Sequence, residues 1–442
     1  MSFSESPPAR SSGRIRRTGV GMAAFIAIVL IGFASWRLVT RERDPLLPDV
    51  PPTAQLIARG EYLTRAADCA ACHYAPGGQP FAGGLAFKLP FGTIYSTNIT
   101  ADRDTGIGAW SDDEFVRALH QGIAKDGRHL YPAFPYTSYT TMSRDDAVAI
   151  KAYLFSLPAV RAIPKPNELR FPFNQRWALA AWNLLFLDEH RFRASPTRSA
   201  AQNRGAYLAT ALGHCGECHT PRTLAMSLST RHAYAGAIQA GWYAYNISSD
   251  HASGLGDWTD AQLQQFLSSG HAEERGLAAG PMAEVVENSL RYLTSEDIKA
   301  MVAYLRSIPA QPAAGARSAR RVAESGALRG RLLFVQACAG CHLLNGEGRQ
   351  SPWAALRGDH SARDAAGTNV LQVLAHGTQL ETNQGLMFMR PYVAGYSDDE
   401  LAAIGNFVIV QFGLRQGTIT PEQVRAERAV ATNASESTIL TR

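Results

Sequence analysis

The sequence is poor in the residues that several common protein functions require. Only 18% of its 442 residues are charged, and the body of the chain has no cluster of Lys and Arg apart from Arg317, Arg320 and Arg321. This argues against binding nucleic acid, which needs a basic surface. No glycine-rich nucleotide loop has the required strand and helix around it, and no Ser/His/Asp or paired-carboxylate pattern stands out. The sequence therefore gives no sign of a reaction on an organic substrate.

Cysteine is also scarce, and its distribution is informative. The chain has six cysteines, and all of them fall in three copies of the pattern C-x-x-C-H. This pattern is typical of c-type haem attachment, in which two thiols bind the haem vinyl groups and the histidine binds iron. The three copies comprise Cys69, Cys72 and His73, then Cys215, Cys218 and His219, and finally Cys338, Cys341 and His342.

Other uses of these cysteines explain the pattern less well. A zinc site needs four ligands, usually from two close pairs, whereas these pairs begin 146 and 123 residues apart. A thioredoxin-like motif needs a βαβ context, and a disulfide framework suits short secreted chains. The sequence therefore predicts three covalently bound haem c groups. The six cysteines would hold them, and the three histidines would be the proximal iron ligands.

The N-terminal segment has the features of a membrane anchor. Three arginines precede an uncharged stretch from Thr18 to Trp36, whose 19 residues are enough to span a bilayer core of about 30 Å. Basic residues before the span predict a cytoplasmic N-terminus, with the haem domains in the periplasm at the inner membrane. A signal peptide that is cleaved near Gly32-Phe33-Ala34 is the alternative.

The three motifs lie in repeats of one larger pattern. An Arg-Gly pair on a predicted helix precedes each motif, and each unit closes on a capped, apolar helix. In the first two units an Asn-Ile-Thr/Ser triplet also begins 12 residues before a tryptophan. Ser111 and Glu114 predict a capping box in the first unit, and we expect none in the second. The repeated positions are Arg59-Gly60, Arg204-Gly205 and Arg329-Gly330, the triplets at Asn98 and Asn246, and the caps Ser143, Thr294 and Ser397.

These repeats predict a mainly α protein with three tandem haem domains after an N-terminal transmembrane helix. Residues 166–195 are apolar and predict an interdomain helix, with a docking surface for a partner subunit or the membrane as the alternative. The predicted segments are 1–50 (cytoplasmic N-terminus, anchor and Pro-rich spacer), 51–165 (first unit), 166–195, 196–310 (second unit), 311–325 (linker), 326–415 (third unit) and 416–442, a polar tail that we expect to be disordered.

Methionine is scarce too, so the candidates for the sixth iron ligand can be named. A methionine thioether at this position raises the haem potential relative to histidine. Among the eight methionines, Met282 lies before the closing helix of the second unit and Met389 before that of the third. Met387 is the rival of Met389. We therefore predict Met282 and Met389 as distal ligands.

The first unit departs from this pattern. The repeat places its distal ligand between Tyr131 and Pro135, where no methionine occurs. Met142 is then the leading candidate by elimination. His129, His120 and an open iron site are the alternatives.

Longer stretches of the chain resemble a known family. They lie within Pro80–Gly84, Pro90–Thr100, Leu130–Thr137, Cys218–Arg222 and Gly280–Val286, and they are similar to the triple-haem cytochrome c subunits of bacterial membrane-bound dehydrogenases. The resemblance covers about residues 55 to 410 and implies three cytochrome c domains. Many members of the family have methionine where Phe134 stands.

The resemblance also implies a function. In such complexes electrons pass from a dehydrogenase large subunit, which is a quinoprotein, a flavoprotein or a molybdenum hydroxylase, through the haems to ubiquinone or another acceptor. The large subunit oxidises an alcohol, an aldehyde, a sugar acid or an N-heterocycle. We therefore expect a non-catalytic electron-transfer subunit. The alternatives are a self-contained peroxidase or quinol-oxidising cytochrome with an open first haem, and a cytochrome subunit of a terminal oxidase.

Overall fold

A computed structural model describes residues 28, 32–37, 39–42, 44–313, 324–349, 352–364, 366–382, 385–413 and 417–439. The predicted anchor from Thr18 to Trp36 and the predicted linker at 311–325 fall largely outside these residues. In the part of the chain that is described, no helix is both long and apolar enough to cross a membrane.

The first unit consists of helices around a small sheet. Strands β1 and β2 form an antiparallel hairpin, and β3, from the segment after the unit, pairs with β2. That segment continues into α6, the helix predicted there. In chain order the elements are α1 (Ala54–Ala66), α2 (Cys69–His73), β1 (Ala86–Leu89), β2 (Gly92–Tyr95), α3 (Asp112–Gln121), α4 (Tyr136–Tyr139), α5 (Arg144–Ser156), β3 (Glu168–Leu169) and α6 (Trp177–Phe186).

The second unit repeats this order of helices. Its elements are α7 (Ala200–Tyr207), which runs into a π-helical turn (Leu208–Leu212), then α8 (Gly216–His219), β4 (Ala237–Gln239), β5 (Trp242–Ala244), α9 (Asp260–Ser269), β6 (His271–Ala272), β7 (Gly276–Leu277), α10 (Pro281–Asn288) and α11 (Ser295–Ser307). The prediction that this unit lacks a capping box is wrong. Thr259 and Gln262 form one at the start of α9, because a glutamine side chain can reach back to the cap as a glutamate does.

The third unit keeps the helices but has a longer hairpin. Its elements are α12 (Glu324–Ala337), α13 (Ala339–His342), α14 (Thr368–His376), β8 (Thr378–Thr382), β9 (Gly385–Met389) and α15 (Asp398–Gly413). Strands β8 and β9 pair in antiparallel fashion. The three units together make the protein mainly helical, as predicted.

The predicted disordered tail instead contains a helix, α16 (Pro421–Ile439). Arg425 and Arg428 each donate a hydrogen bond to Asp398 at the start of α15, at 3.2 and 2.9 Å. Ile419 and Val424 are buried in the core of the third unit. The prediction was wrong because it rested on the polar composition of the segment and overlooked these two apolar anchors.

A glycine in each unit lets the first helix cross the closing helix closely. A β-carbon at this glycine would overlap a backbone oxygen of the closing helix, so no other residue fits without a shift. The pairs are Gly60 with Ala149, Gly205 with Ala300 and Gly330 with Ala403. The repeated Arg-Gly pair thus marks the helix crossing on which each unit is built.

The first and second units share one hydrophobic core, whereas the third has a core of its own. Leu63 and Leu154 of the first unit belong to the same buried cluster as Leu208 and Leu305 of the second. Leu380 on β8 of the third unit is also fully buried in this shared cluster. The third unit therefore joins the other two through its hairpin while keeping a separate core.

Reciprocal hydrogen bonds join the first two units. Tyr62 on α1 donates to Asp297 on α11 at 2.6 Å, and Tyr207 on α7 donates to Asp146 on α5. Each aspartate also binds the arginine of its own unit, so that one carboxylate connects both units. The tyrosine of each unit thus contacts the aspartate of the other, as in a two-fold symmetric dimer interface, although both units belong to one chain.

The third unit does not repeat this pairing. Leu332 stands where the first two units have tyrosine, and its side chain is 57% exposed. Arg329 still pairs with Glu400, at 3.5 Å, in the position of the arginine–aspartate pairs. The third copy of the repeat thus retains the contact within a unit and lacks the contact between units.

Replacing Gly330 with alanine should lower the free energy of unfolding by about 1–3 kcal/mol, because the methyl group overpacks the crossing of α12 and α15. Gly395→Ala is the matched control, since its nearest non-neighbouring atom is Tyr392 O at 4.0 Å. The control should change stability by less than about 0.5 kcal/mol. Urea unfolding of the haem-loaded protein measures both, and equal midpoints would contradict the close crossing.

Tyr62→Phe should weaken the contact between the first two units by about 1.5–3 kcal/mol, because a partly buried hydrogen bond to a charged group is lost. Burial alone would raise the pKa of Asp297, but the hydrogen bonds from Arg204 and Tyr62 hold it below its usual range. Stabilisation of this kind is complete above the unfolded pKa of about 3.9 and is lost as the pH falls through the folded pKa. The difference from wild type should therefore be full at pH 7 and shrink below about pH 4.

Thermal unfolding between pH 3 and pH 7 tests this effect. Tyr95→Phe is the control, because its hydroxyl donates to Glu168 at an exposed position near the first unit's own hairpin. We expect this control to lie within about 0.5 kcal/mol of wild type at every pH. A Tyr62→Phe protein as stable as the control at pH 7 would be inconsistent with the reciprocal contact.

Candidate haem centres

Each C-x-x-C-H motif lies in a short helical turn that follows the first helix of its unit. All six thiols are free. Burial raises the pKa of Cys69 and Cys215 to about 12 and that of Cys338 to about 11, so these thiols are protonated at neutral pH. Reactive cysteines of redox sites have instead a depressed pKa, because the thiolate is the reactive form. Among the described residues, no group of three or more His, Cys, Asp or Glu side chains could hold a metal ion by itself.

The three motif histidines have the same environment. In each ring Nδ1 lies within hydrogen-bonding distance of a backbone carbonyl: 2.7 Å from Thr97 O for His73, 2.6 Å from Tyr245 O for His219 and 2.7 Å from Ala354 O for His342. Burial lowers the pKa of all three imidazoles, which favours the neutral ring. With Nδ1–H donating to the carbonyl, Nε2 on the opposite edge is left to bind iron.

The repeated Asn triplet fixes the carbonyl in the first two units. In the first unit the acceptor residue, Thr97, directly precedes Asn98. The buried Asn98 side chain accepts from Thr100 N at 2.9 Å and donates to Val160 O at 2.7 Å. It thereby stabilises the loop internally and also connects it to the chain after the closing helix.

The second unit repeats this arrangement. Tyr245 precedes Asn246, whose side chain accepts from Ser248 N at 2.9 Å and donates to Gln311 O at 2.7 Å. Asn246 is fully buried. The triplet identified in the sequence is therefore the clamp that positions the carbonyl partner of the proximal histidine.

Several buried polar side-chain atoms lack partners among the described residues, and two of these are donors on Trp258 and Thr378. Trp258 is 7% exposed and its Nε1–H has no acceptor. The hydroxyl of Thr378, which lies opposite Met389 in the β8–β9 hairpin, also has none. A haem would supply propionate oxygens as acceptors near such groups. Together with the three oriented imidazoles, these residues fit the predicted haem groups.

On the distal side of the second and third units, the predicted methionines lie in well-packed positions. Met282 is at the start of α10 and packs against the shared core. Met387 and Met389 lie on the same face of β9, but Met389 packs against the core of the third unit, whereas Met387 lies opposite Leu380 of the shared core. This favours Met389 over Met387. Both assignments stay predictions.

The distal side of the first unit is different. Phe134, partly buried against the shared core, is in the stretch where the repeat places a ligand. Met142 is fully buried eight residues further on and belongs to the shared core. His120 Nδ1 lies 2.7 Å from Asp44, and the backbone of His129 is paired with that of Ile123. The assignment of Met142 also stays a prediction.

The third unit contacts the loop that positions His219. Asn369 on α14 accepts from Tyr243 N at 2.8 Å and donates to Tyr243 O at 2.9 Å. Tyr245, whose carbonyl faces His219, packs edge-on against His360 of the third unit with 4.4 Å between ring centroids. The proximal loop of the second unit is therefore part of the interface with the third.

The corresponding loop of the third unit also takes part in this interface. Trp353 directly precedes Ala354, the carbonyl partner of His342, and its ring lies 4.6 Å from His271 of the second unit. The loops that hold the proximal histidines of the second and third units thus each contact the neighbouring unit through an aromatic side chain.

Several of these functional residues were not identified from the sequence. The pairs Tyr62–Asp297 and Tyr207–Asp146 were missed, although the tyrosine recurs at one position of the Arg-Gly repeat in the first two units and is absent from the third. His271 and His360 carried no pattern, because their role depends on a contact between units. The residue before each Asn triplet could have been recognised as the carbonyl partner from its constant place in the repeat.

Comparison with known proteins agrees with this description. The cytochrome c family matches residues 57–158 and 327–409. The gluconate 2-dehydrogenase cytochrome c subunit of Pantoea cypripedii is 37% identical over 405 residues, which cover 86% of this chain and 91% of the relative. A protein described as diheme cytochrome c-type from Cereibacter sphaeroides is 37% identical over 298 residues, 65% of this chain and 98% of the relative.

A larger relative is also similar. A nicotinate dehydrogenase subunit of Pseudomonas putida is 38% identical over 417 residues, which cover 92% of this chain. The match covers only 34% of that relative, so the chain spans about a third of its length.

Replacing Met282 or Met389 with alanine should remove one axial bond to the haem of that unit and lower its reduction potential. A spectroscopic redox titration of the haem-loaded protein should show one component displaced to lower potential in each variant. Met301→Leu is the control, because Met301 is buried inside α11 and should leave all three potentials unchanged. A titration unaltered by Met389→Ala would assign the ligand to Met387.

Proposed function

The chain belongs to the cytochrome c subunits of bacterial dehydrogenases, and on that premise we propose that it is a triple-haem subunit that carries electrons from a periplasmic dehydrogenase to ubiquinone or another respiratory acceptor. The observation that carries this proposal is the common geometry of His73, His219 and His342. Each has one nitrogen held by a backbone carbonyl and the other left for iron. Three equivalent ligand positions in one chain suit serial electron transfer.

The residues of the chain would hold and orient the haem groups. The cysteine pairs would attach each haem covalently, and Nε2 of the adjacent histidine would be the fifth ligand. A bound haem supplies one-electron exchange between ferric and ferrous iron. The protein sets the potential through the axial ligands, hydrogen bonding and burial, and it excludes water by the apolar cores described above.

The arrangement of the units supports an electron path with the second haem in the middle. The second unit shares its core with the first, and its proximal loop packs against the third through Tyr245 and His360. It thus contacts both neighbours closely. We place the dehydrogenase and the final acceptor at the outer haems, with the second haem connecting them.

The partner would be the large subunit of a dehydrogenase. The relatives include proteins named as subunits of gluconate and nicotinate dehydrogenases, which implies a complex with a catalytic subunit. We propose that the partner is a quinoprotein, a flavoprotein or a molybdenum hydroxylase that oxidises an alcohol, an aldehyde, a sugar acid or an N-heterocycle.

We further propose that the complex lies on the periplasmic face of the inner membrane. An apolar surface supports this: Trp177 and Leu185 on α6 are 73% and 51% exposed, and Phe171, just before the helix, is 79% exposed. Arg37 and Arg41, which follow the predicted anchor, donate to backbone carbonyls at the end of α6, at 2.5 Å to Leu187 O in the case of Arg37. The α6 surface thus adjoins the chain where it would leave the membrane.

Purification of the native protein in mild detergent tests this function. We expect a dehydrogenase large subunit to copurify, and addition of its substrate to reduce the haems. The cofactor of the large subunit would then identify the substrate class. Isolation of the protein without a dehydrogenase, or with a haem–copper oxidase instead, would contradict the proposal.

A further inference from the structure

We propose that the first haem has no methionine ligand on its distal side and that its iron binds a small diatomic ligand, such as carbon monoxide or nitric oxide, beneath Phe134. This inference rests on haem attachment to the first motif but not on the identity of the dehydrogenase partner. It follows from the register between the distal loops of the first and second units. Hydrogen bonds define this register as far as Leu130 and Ala278, and the residue count extends it to Phe134 and Met282.

The two distal loops begin with the same structure. Helices α3 and α9 end at Gly122 and Gly270, which both adopt the left-handed conformation. Leu130 N then donates to Gly122 O at 2.7 Å, and Ala278 N donates to Gly270 O at 2.6 Å. Because each bond spans eight residues, the two loops are of equal length up to this point.

The strand pairing inside the loops confirms this register. Ile123 pairs with His129 in the first unit, and His271 pairs with Leu277 in the second, all in antiparallel arrangement. In both units the paired residues therefore lie one and seven positions after the glycine. His129 corresponds to Leu277, five residues before the methionine, and so does not occupy the ligand position.

Counted from the glycine that ends the preceding helix, Phe134 corresponds to Met282. It follows Gly122 by the same 12 residues that separate Met282 from Gly270. Its ring centroid lies 5.6 Å from that of Tyr139, whose hydroxyl donates to Ala67 O at 2.7 Å. Because Ala67 is two residues before Cys69, this contact connects Phe134 with the attachment end of the first haem. A phenyl ring cannot coordinate iron.

The other candidate ligands have different roles. Met142 directly precedes the cap Ser143, as Leu293 directly precedes the cap Thr294, and it fills an apolar position in the shared core. It therefore takes the place of a core leucine.

His120 also has another role. It corresponds on α3 to Ser268 on α9, which is exposed and therefore points away from the core of the second unit. In the first unit this outer position is covered by Asp44, whose carboxylate bonds His120 Nδ1 at 2.7 Å and Arg191 Nη2 at 2.6 Å. His120 is thus part of a contact with the segment before the first unit.

Carbon monoxide binding to the dithionite-reduced protein, loaded with its three haems, tests the proposal. We expect the wild type to bind one carbon monoxide per chain. Phe134→Met should bind none, because the restored thioether closes the site, and should gain the absorption band of a methionine-ligated ferric haem. Met282→Ala should bind two. Wild-type protein that binds no carbon monoxide would overturn the proposal.

Further variants decide where the ligand binds. Phe134→Ala should bind carbon monoxide faster than wild type, because the ring over the iron is removed, and this holds even if Phe134→Met does not fold. Met142→Leu and His120→Gln should leave the stoichiometry at one. Binding in the wild type that neither Phe134 variant alters would place the open iron in another unit and refute the assignment. None of these outcomes bears on copurification with a dehydrogenase.

Discussion

The orientation of three imidazole rings is the constraint on which this structure depends. A histidine can bind iron through Nε2 only if its ring is held in place, and here a backbone carbonyl holds Nδ1 in every unit. A backbone acceptor can be positioned only by the course of its loop. The buried Asn98 and Asn246 clamp that loop in the first two units. In each unit the first helix crosses the closing helix closely at a glycine, and this fixes the helix that precedes the motif. The motif histidine is thereby held next to its carbonyl partner.

The three units of the chain contact one another in two different ways. In the first two units a tyrosine on the first helix reaches the closing helix of the other unit, and the two cores merge. The third unit has Leu332 at this position and instead approaches the second through its hairpin and its proximal loop. The relative described as a diheme cytochrome c-type protein is about two units long. The first two units thus form a pair with one core, which the third unit joins with a core of its own.

Most of what is local in sequence could be predicted, and most of what is not local could not. The motifs, the caps Ser143 and Thr294 and the closing helices all follow from patterns within a few residues. The Tyr62–Asp297 bond joins residues 235 positions apart, and no periodicity signals such a contact. The helix in the predicted tail was missed for a related reason, because two buried residues, Ile419 and Val424, outweigh the polar composition around them.

The fold depends more strongly on the residues proximal to each predicted haem than on the distal residues. The predicted fifth ligand lies next to the predicted attaching cysteines. In the first two units its carbonyl partner is part of the loop clamp, so a change there would disturb the whole unit. The predicted sixth ligand comes from a loop whose shape is set by its own backbone hydrogen bonds, such as those that Gly122 O and Gly270 O accept. Those bonds are the same whether the loop presents Phe134 or Met282. The open site that we propose in the first unit is therefore compatible with attachment of its predicted haem through Cys69, Cys72 and His73.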